Sequence, residues 1–154
     1  MKLRQQKLII EQLDRKFLTL KSLNQFSSPE RGWIFNIRTA LKMSLRQLGK
    51  RLGISAQSVK EIEQREAEGS LTLRSLSDVA KALDMKLVYA IIPKEETLER
   101  MIEKKADKIA REIVLRTSNT MSLEDQKVSD TRIKKAIEEK ADEIINKMPR
   151  YLWD

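Results

Sequence analysis

Residues 44–66 read SLRQLGKRLGISAQSVKEIEQRE and gather side chains suited to directional hydrogen bonding. Gln57 carries an amide that can bond an adenine edge through one donor and one acceptor. Its neighbour Ala56 has a methyl that can meet a thymine methyl, and Ser58 has a hydroxyl that serves either base. Glu61, one helical turn on, has a carboxylate that can accept from cytosine. Arg46, Lys50, Lys60, Arg65 and Arg74 are candidates for phosphate contacts, which add affinity without sequence information. Each residue type is equally at home on a solvated helix, so their meaning turns on placement. The 154 residues include no cysteine and no histidine. That removes Cys or Ser–His nucleophiles, zinc held by nitrogen or sulfur, and disulfides. No cofactor or metal is implied, and the expectation is a protein that is not an enzyme.

Placement follows from the flanking residues. Ser44 suits a helix N-cap, and Leu45, Leu48 and Leu52 give one buried face. Gly49 marks a point where a neighbouring helix must approach closely. Gly53 falls one position past the helix, where a left-handed residue ends it cheaply. Ile54 is placed to plug the corner, and Ser55 to cap a second helix whose buried residues are Val59 and Ile62. Two short helices, a glycine turn and these apolar positions define a helix-turn-helix. The N-terminal turn of its second helix enters the major groove, which is where Ala56, Gln57 and Ser58 fall.

Lys and Arg number 31 against 23 Asp and Glu, for a formal charge of +8. Residues 1–28 hold six basic and two acidic groups, residues 29–93 eleven and seven, and residues 94–154 fourteen of each. The positive field therefore belongs to the first ninety residues, where a polyanion would be met.

Three segments follow: an N-terminal amphipathic helix within 1–28, a DNA-binding domain over 29–93, and a helical hairpin over 94–154. Ser28 and Pro29 read as the start of the first domain helix, at N-cap and first helical position. Leu87–Ile92 is rich in β-formers and stops at Pro93. No second strand pattern accompanies it, so the expected partner is the same strand of a second copy. Leu98-x3-Ile102-Glu103-x-Lys105-Ala106-Asp107-x-Ile109 recurs 35 positions later at Ile133–Ile144, giving two helices joined by the polar stretch Thr117–Asp130. The six-residue run Leu87–Ile92 is the longest apolar one, too short to span a membrane, and Glu11 and Asp14 interrupt any signal sequence. A cytoplasmic, nucleoid-associated protein with no membrane partner is expected.

Across residues 34–92 the chain resembles the Xre/Cro-type repressors, through IRTALKMSLRQLGKRLGIS, QSVKEIEQRE and LTLRSLSDVAKALDMKL. The resemblance implies a mainly α, five-helix DNA-binding domain. One helix-turn-helix buries little surface on DNA, so a homodimer on a palindromic operator is expected. Family members pair an Arg near the end of the first helix with a Glu late in the recognition helix. Arg38 and Glu63 stand in those places, implying a largely buried ion pair. Leu45 replaces a Gln that often contacts the DNA backbone, and Glu66-Ala67-Glu68-Gly69 is longer and more acidic than the usual turn.

A second resemblance, through Trp33-Ile34-x2-Ile37-Arg38, LDMKLVYAIIP, TMSLEDQ and the terminal Leu152-Trp153-Asp154, covers nearly the whole chain. It is to the family called mobile mystery protein A, Xre-type proteins of mobile elements encoded beside a Fic-domain partner. This implies an autoregulating, antitoxin-like repressor of a toxin–antitoxin pair. Inhibitors of Fic enzymes carry Ser or Thr, three residues, Glu, then Gly or Asn. Thr120 and Glu124 match that spacing, with Asp125 in the last place, while Ser122 can equally cap a helix. Three roles stay open at this point: a dimeric repressor, an inhibitor of a Fic nucleotidyltransferase with DNA binding secondary, and an architectural factor.

Overall fold

A computed structural model describes residues 3–123 and 129–154, side chains excepted at 121–123. Among these residues lie seven α-helices: α1 (Leu3–Thr19), α2 (Trp33–Ala40), α3 (Leu45–Leu52), α4 (Ala56–Ala67), α5 (Leu73–Ala82), α6 (Leu98–Leu123) and α7 (Asp130–Lys147). Short 3₁₀ turns occupy Lys21–Gln25 and Arg150–Trp153. No described residue is in a strand, and no described helix is long and apolar enough to cross a membrane.

The chain divides into two compact units, one formed by residues 1–24 with 92–154, the other by 25–91. The N-terminal helix, which the sequence sets apart, therefore belongs with the C-terminal hairpin. In that first unit, α6 contributes Ile102, Ala106 and Ala110, and α7 contributes Ile137, Ala141 and Ile144. The alanines let the two helix backbones approach closely along the seam. Ile102 with Ile137 and Ala106 with Ala141 are matching positions of the internal repeat, so each copy buries part of its apolar edge against the other. Leu152, fully buried, closes the hairpin from the terminal 3₁₀ turn. Trp153 stays half-exposed, with the Lys105 ammonium 5.3 Å above its ring. The polar stretch from Thr117 continues α6 to Leu123 rather than forming a link. Thr117 and Thr120 return their hydroxyl protons to the carbonyls of Ile113 and Arg116, so they do not break the helix.

Polar groups fix how α1 lies on α6. Asp14 is 8% exposed, and its two carboxylate oxygens accept the backbone N–H groups of Leu98 and Glu99 at 2.7 and 3.1 Å. A carboxylate at a helix N-terminus satisfies orphan donors and opposes the positive end of the helix dipole. On α7, Glu143 lies between Lys140 and Lys147 (2.9 and 2.8 Å), and their hydrogen bonds hold its carboxyl down at about 2.

The second unit holds α2 to α5 around Ile34, Leu48, Val59, Val79 and Leu83. Two expectations for it are corrected. Residues 29–32 form a turn closed by the Gly32 N–H on the Pro29 carbonyl, and α2 starts only after Gly32, whose φ is +81°. The unit also has four helices rather than five. Asp84, at φ +60°, ends the α5 region, and the β-branched and aromatic run that follows disfavours another helix. The expected strand at 87–92 carries no regular structure in the single chain, which offers it no edge to pair with.

Replacing Asp14 with Ala should cost about 1 kcal/mol and Asp14→Asn less, since the amide keeps one acceptor. Urea unfolding of the full chain, followed by circular dichroism, measures both.

Candidate nucleic-acid interface

Local chemistry builds the α3–turn–α4 corner. Ser44 accepts the Gln47 N–H at 3.1 Å while the Gln47 side chain accepts the Ser44 N–H at 2.7 Å, a reciprocal capping box. Gly53 ends α3 at φ +72°, and Ser55 then accepts the Ser58 N–H to cap α4. Gly49 is needed because a Cβ there would lie 2.7 Å from the Ile54 carbonyl oxygen. The close neighbour is thus the turn itself, not another helix. Ile54 is 38% exposed, so it does not plug the corner; Leu48 and Val59, both fully buried, fill it.

Two carboxylates on α4 tie it to α2. Arg38 donates from Nε and Nη2 to the two oxygens of Glu63 at 2.5 and 3.0 Å, and from Nη1 to the Met43 carbonyl at 2.9 Å. Both residues are under 10% exposed. The Glu63 hydrogen bonds outweigh desolvation and raise the Arg38 pKa further above its ordinary value. One turn later, Glu66 accepts the N–H groups of Trp33 and Ile34, each at 2.9 Å, and so caps α2 from a distance. The acidic stretch Glu66–Gly69, which begins in the last turn of α4, includes this cap.

These contacts fix the direction of α4 and leave its outer stripe free. Gln57, Lys60, Glu61 and Gln64 are exposed along it, while Ala56 and Ser58 are half-buried. Gln57 Nε2 donates to Glu61 Oε1 at 3.4 Å. The Ser58 hydroxyl is engaged with Ser55 Oγ at 2.9 Å. Gln64 shares the stripe, one turn beyond Lys60, and donates to Glu68 at 2.8 Å.

Arg46, Lys50, Lys60 and Arg74 are exposed and have no partner among the described residues. Arg65 is exposed as well, but its Nη2 donates to the Ser70 carbonyl at 3.4 Å. One unpaired cation escaped the sequence reading. Lys42, at φ +53° in the turn between α2 and α3, shares a small cleft with Gln47, Lys50 and Arg51. Its only sequence signal was its place just before the Ser44 cap.

Residues 34–89 match the family model described as helix-turn-helix, of the Xre type. No curated protein and no solved structure matches the chain. The matched segment lies within the second unit, and it marks the chain as carrying the domain of a DNA-binding transcription regulator.

Arg38→Ala strands the Glu63 carboxylate out of water and should cost about 3–5 kcal/mol in urea unfolding. The double variant Arg38→Met, Glu63→Leu should recover most of that loss, because it removes both charges.

Proposed function

We propose that this protein is a sequence-specific transcriptional repressor that binds a palindromic operator as a homodimer. The observation that carries the reading is the N-terminal turn of α4, held by the Arg38–Glu63 pair with Gln57 facing solvent. Gln57 gives one N–H to Glu61 and keeps its second N–H and its carbonyl oxygen, the pair of groups an adenine edge requires. It is the principal base reader; Ala56, Ser58 and Glu61 contribute less, since two are half-buried and the third is spent on Gln57. Arg46, Lys50, Lys60, Arg74 and Lys42 meet phosphates, while Arg65 braces the loop at Ser70. Two copies join through Leu87–Ile92, whose β-formers have no partner strand among the described residues.

The resemblance to mobile mystery protein A supports a finer role, as the autoregulating antitoxin of a Fic-domain enzyme. The balanced charge of residues 94–154 suits that hairpin to a protein partner rather than to phosphates. Thr120 is exposed on α6; Glu124, the other half of the inhibitory spacing, lies outside the described residues.

Fluorescence anisotropy against DNA upstream of the chain's own gene, at two salt concentrations, tests the main reading. Gln57→Ala should change the preferred base at one position per half-site. Lys60→Ala should weaken all duplexes alike and reduce the salt slope by about one per half-site. Uniform weakening by both would remove Gln57 from the groove. For the finer role, co-expression with the neighbouring Fic-domain protein should yield a co-purifying complex whose nucleotide transfer is released by Glu124→Ala. Unchanged inhibition in that variant would exclude the motif.

A further inference from the structure

The second unit carries a concave apolar surface beside a protruding apolar segment, and neither is covered in the single chain. The concavity is a groove of about 600 Å³ floored by Ile34, Ile37, Val79 and Leu83. Leu87, Val88 and Tyr89 form one wall, and Glu66, already spent on capping α2, lies on another. Around the rim, Trp33 is 43% exposed with Phe26 stacked on it at 5.6 Å, and Leu73 is 49% exposed. Val88, Tyr89 and Ile91 stand 73, 70 and 90% exposed. From Lys86 to Ile92, no peptide N–H or carbonyl has a hydrogen-bond partner among the described residues.

We infer that a second copy of this chain covers this face, through an antiparallel two-stranded ribbon of residues 88–92 whose two-fold axis passes through Ala90. The inference rests on the dimeric reading above and specifies its register. The occupant follows from area. The exposed parts of Trp33, Phe26, Leu73, Met85, Val88, Tyr89 and Ile91 amount to roughly 800 Å² per copy, which is what one partner contributes to a stable interface of ordinary size.

Symmetry sets the register. Two identical antiparallel strands related by a two-fold axis place like faces together, so one residue must lie opposite its own copy. Ala90 is the smallest residue of the run and crowds its twin least. Tyr89 then faces Ile91 of the second copy, and Ile91 faces its Tyr89, an aromatic and β-branched pairing that sheets favour. Val88 faces Ile92 of the second copy in the same way. Pro93, which has no N–H, ends the ladder. Centring the axis on Tyr89 instead would set Ile92 opposite the charged Lys86. In the chosen register Leu87, Tyr89 and Ile91 share a face, since alternate residues of a strand do. Leu87 and Tyr89 already line their own groove, so Ile91, on the same face and 90% exposed, reaches beyond it onto the other copy.

The chain has no cysteine, so a single thiol reports the register without background. In full-length Ala90→Cys, the paired Cα atoms would lie about 4.5–5.5 Å apart, within disulfide range. Mild oxidation should give a dimer on a non-reducing gel, and Tyr89→Cys should give far less. Equal or greater cross-linking through Tyr89→Cys would overturn the register, and no cross-linking through either would overturn the pairing. Ile91→Asp, at a position open to solvent, should raise the dimer dissociation constant about tenfold or more in sedimentation equilibrium. A dissociation constant unchanged in that variant would also overturn the pairing. Binding of a half-site duplex by Ile91→Asp tests the DNA reading separately. Cross-linking through Ala90→Cys with no binding to any duplex would uphold the pairing and remove the DNA reading alone.

Discussion

The Arg38 guanidinium and the Glu63 carboxylate meet through two parallel hydrogen bonds almost out of water, and the third arm of the guanidinium holds the Met43 carbonyl. A buried pair of this kind adds little net stability compared with apolar side chains of the same volume. What it adds is direction. Apolar packing of Leu48 and Val59 would tolerate small rotations of α4, whereas a two-pronged, planar contact tolerates few. Base reading depends on side chains a few ångströms long reaching fixed donors and acceptors. On the proposed reading, the orientation of α4 is therefore worth more than the free energy of the contact that sets it.

The same logic recurs in the ends of the helices. Glu66 closes the N-terminus of α2, and Asp14 closes that of α6, each with both carboxylate oxygens on successive backbone N–H groups. Helix α2 has no local side-chain cap, whereas at α6 the distant carboxylate adds to Thr97, whose hydroxyl oxygen accepts the Arg100 N–H at 3.1 Å. A local Ser or Thr cap would start the helix wherever the sequence put it. A cap borrowed from another helix ties the start of one element to the position of the next, so secondary and tertiary structure form together.

That difference explains what was legible beforehand. The α3–turn–α4 corner rests on signals within a few residues of one another: Ser44, Gly53 and Ser55. These could be placed to the residue. The Arg38–Glu63 partnership was not visible in spacing and came from family resemblance. The start of α2 was misplaced because Ser28-Pro29 is a good local start, whereas the actual one depends on Glu66, over thirty residues away. Likewise Asp14 read only as a charge that interrupts a signal sequence, when its carboxylate is buried against the start of α6. At 87–92 the β-forming composition was plain, but a strand requires an edge, and composition cannot supply one within a single copy.

The contact between Asp14 and Leu98 spans 84 residues, and the whole contiguous DNA-binding unit lies inside that loop. Chains leave the ribosome from the N-terminus, and domains tend to fold as they emerge. Residues 25–91 carry every member of their own core and can fold as soon as they clear the exit tunnel. Helix α1, made first, finds its place only after α6 and α7 have been synthesised. During that interval Ile10, which packs on the hairpin core, and Asp14 have no native surface to rest on. The order of synthesis thus lets the unit formed by residues 25–91 finish before the unit whose segments flank it in sequence.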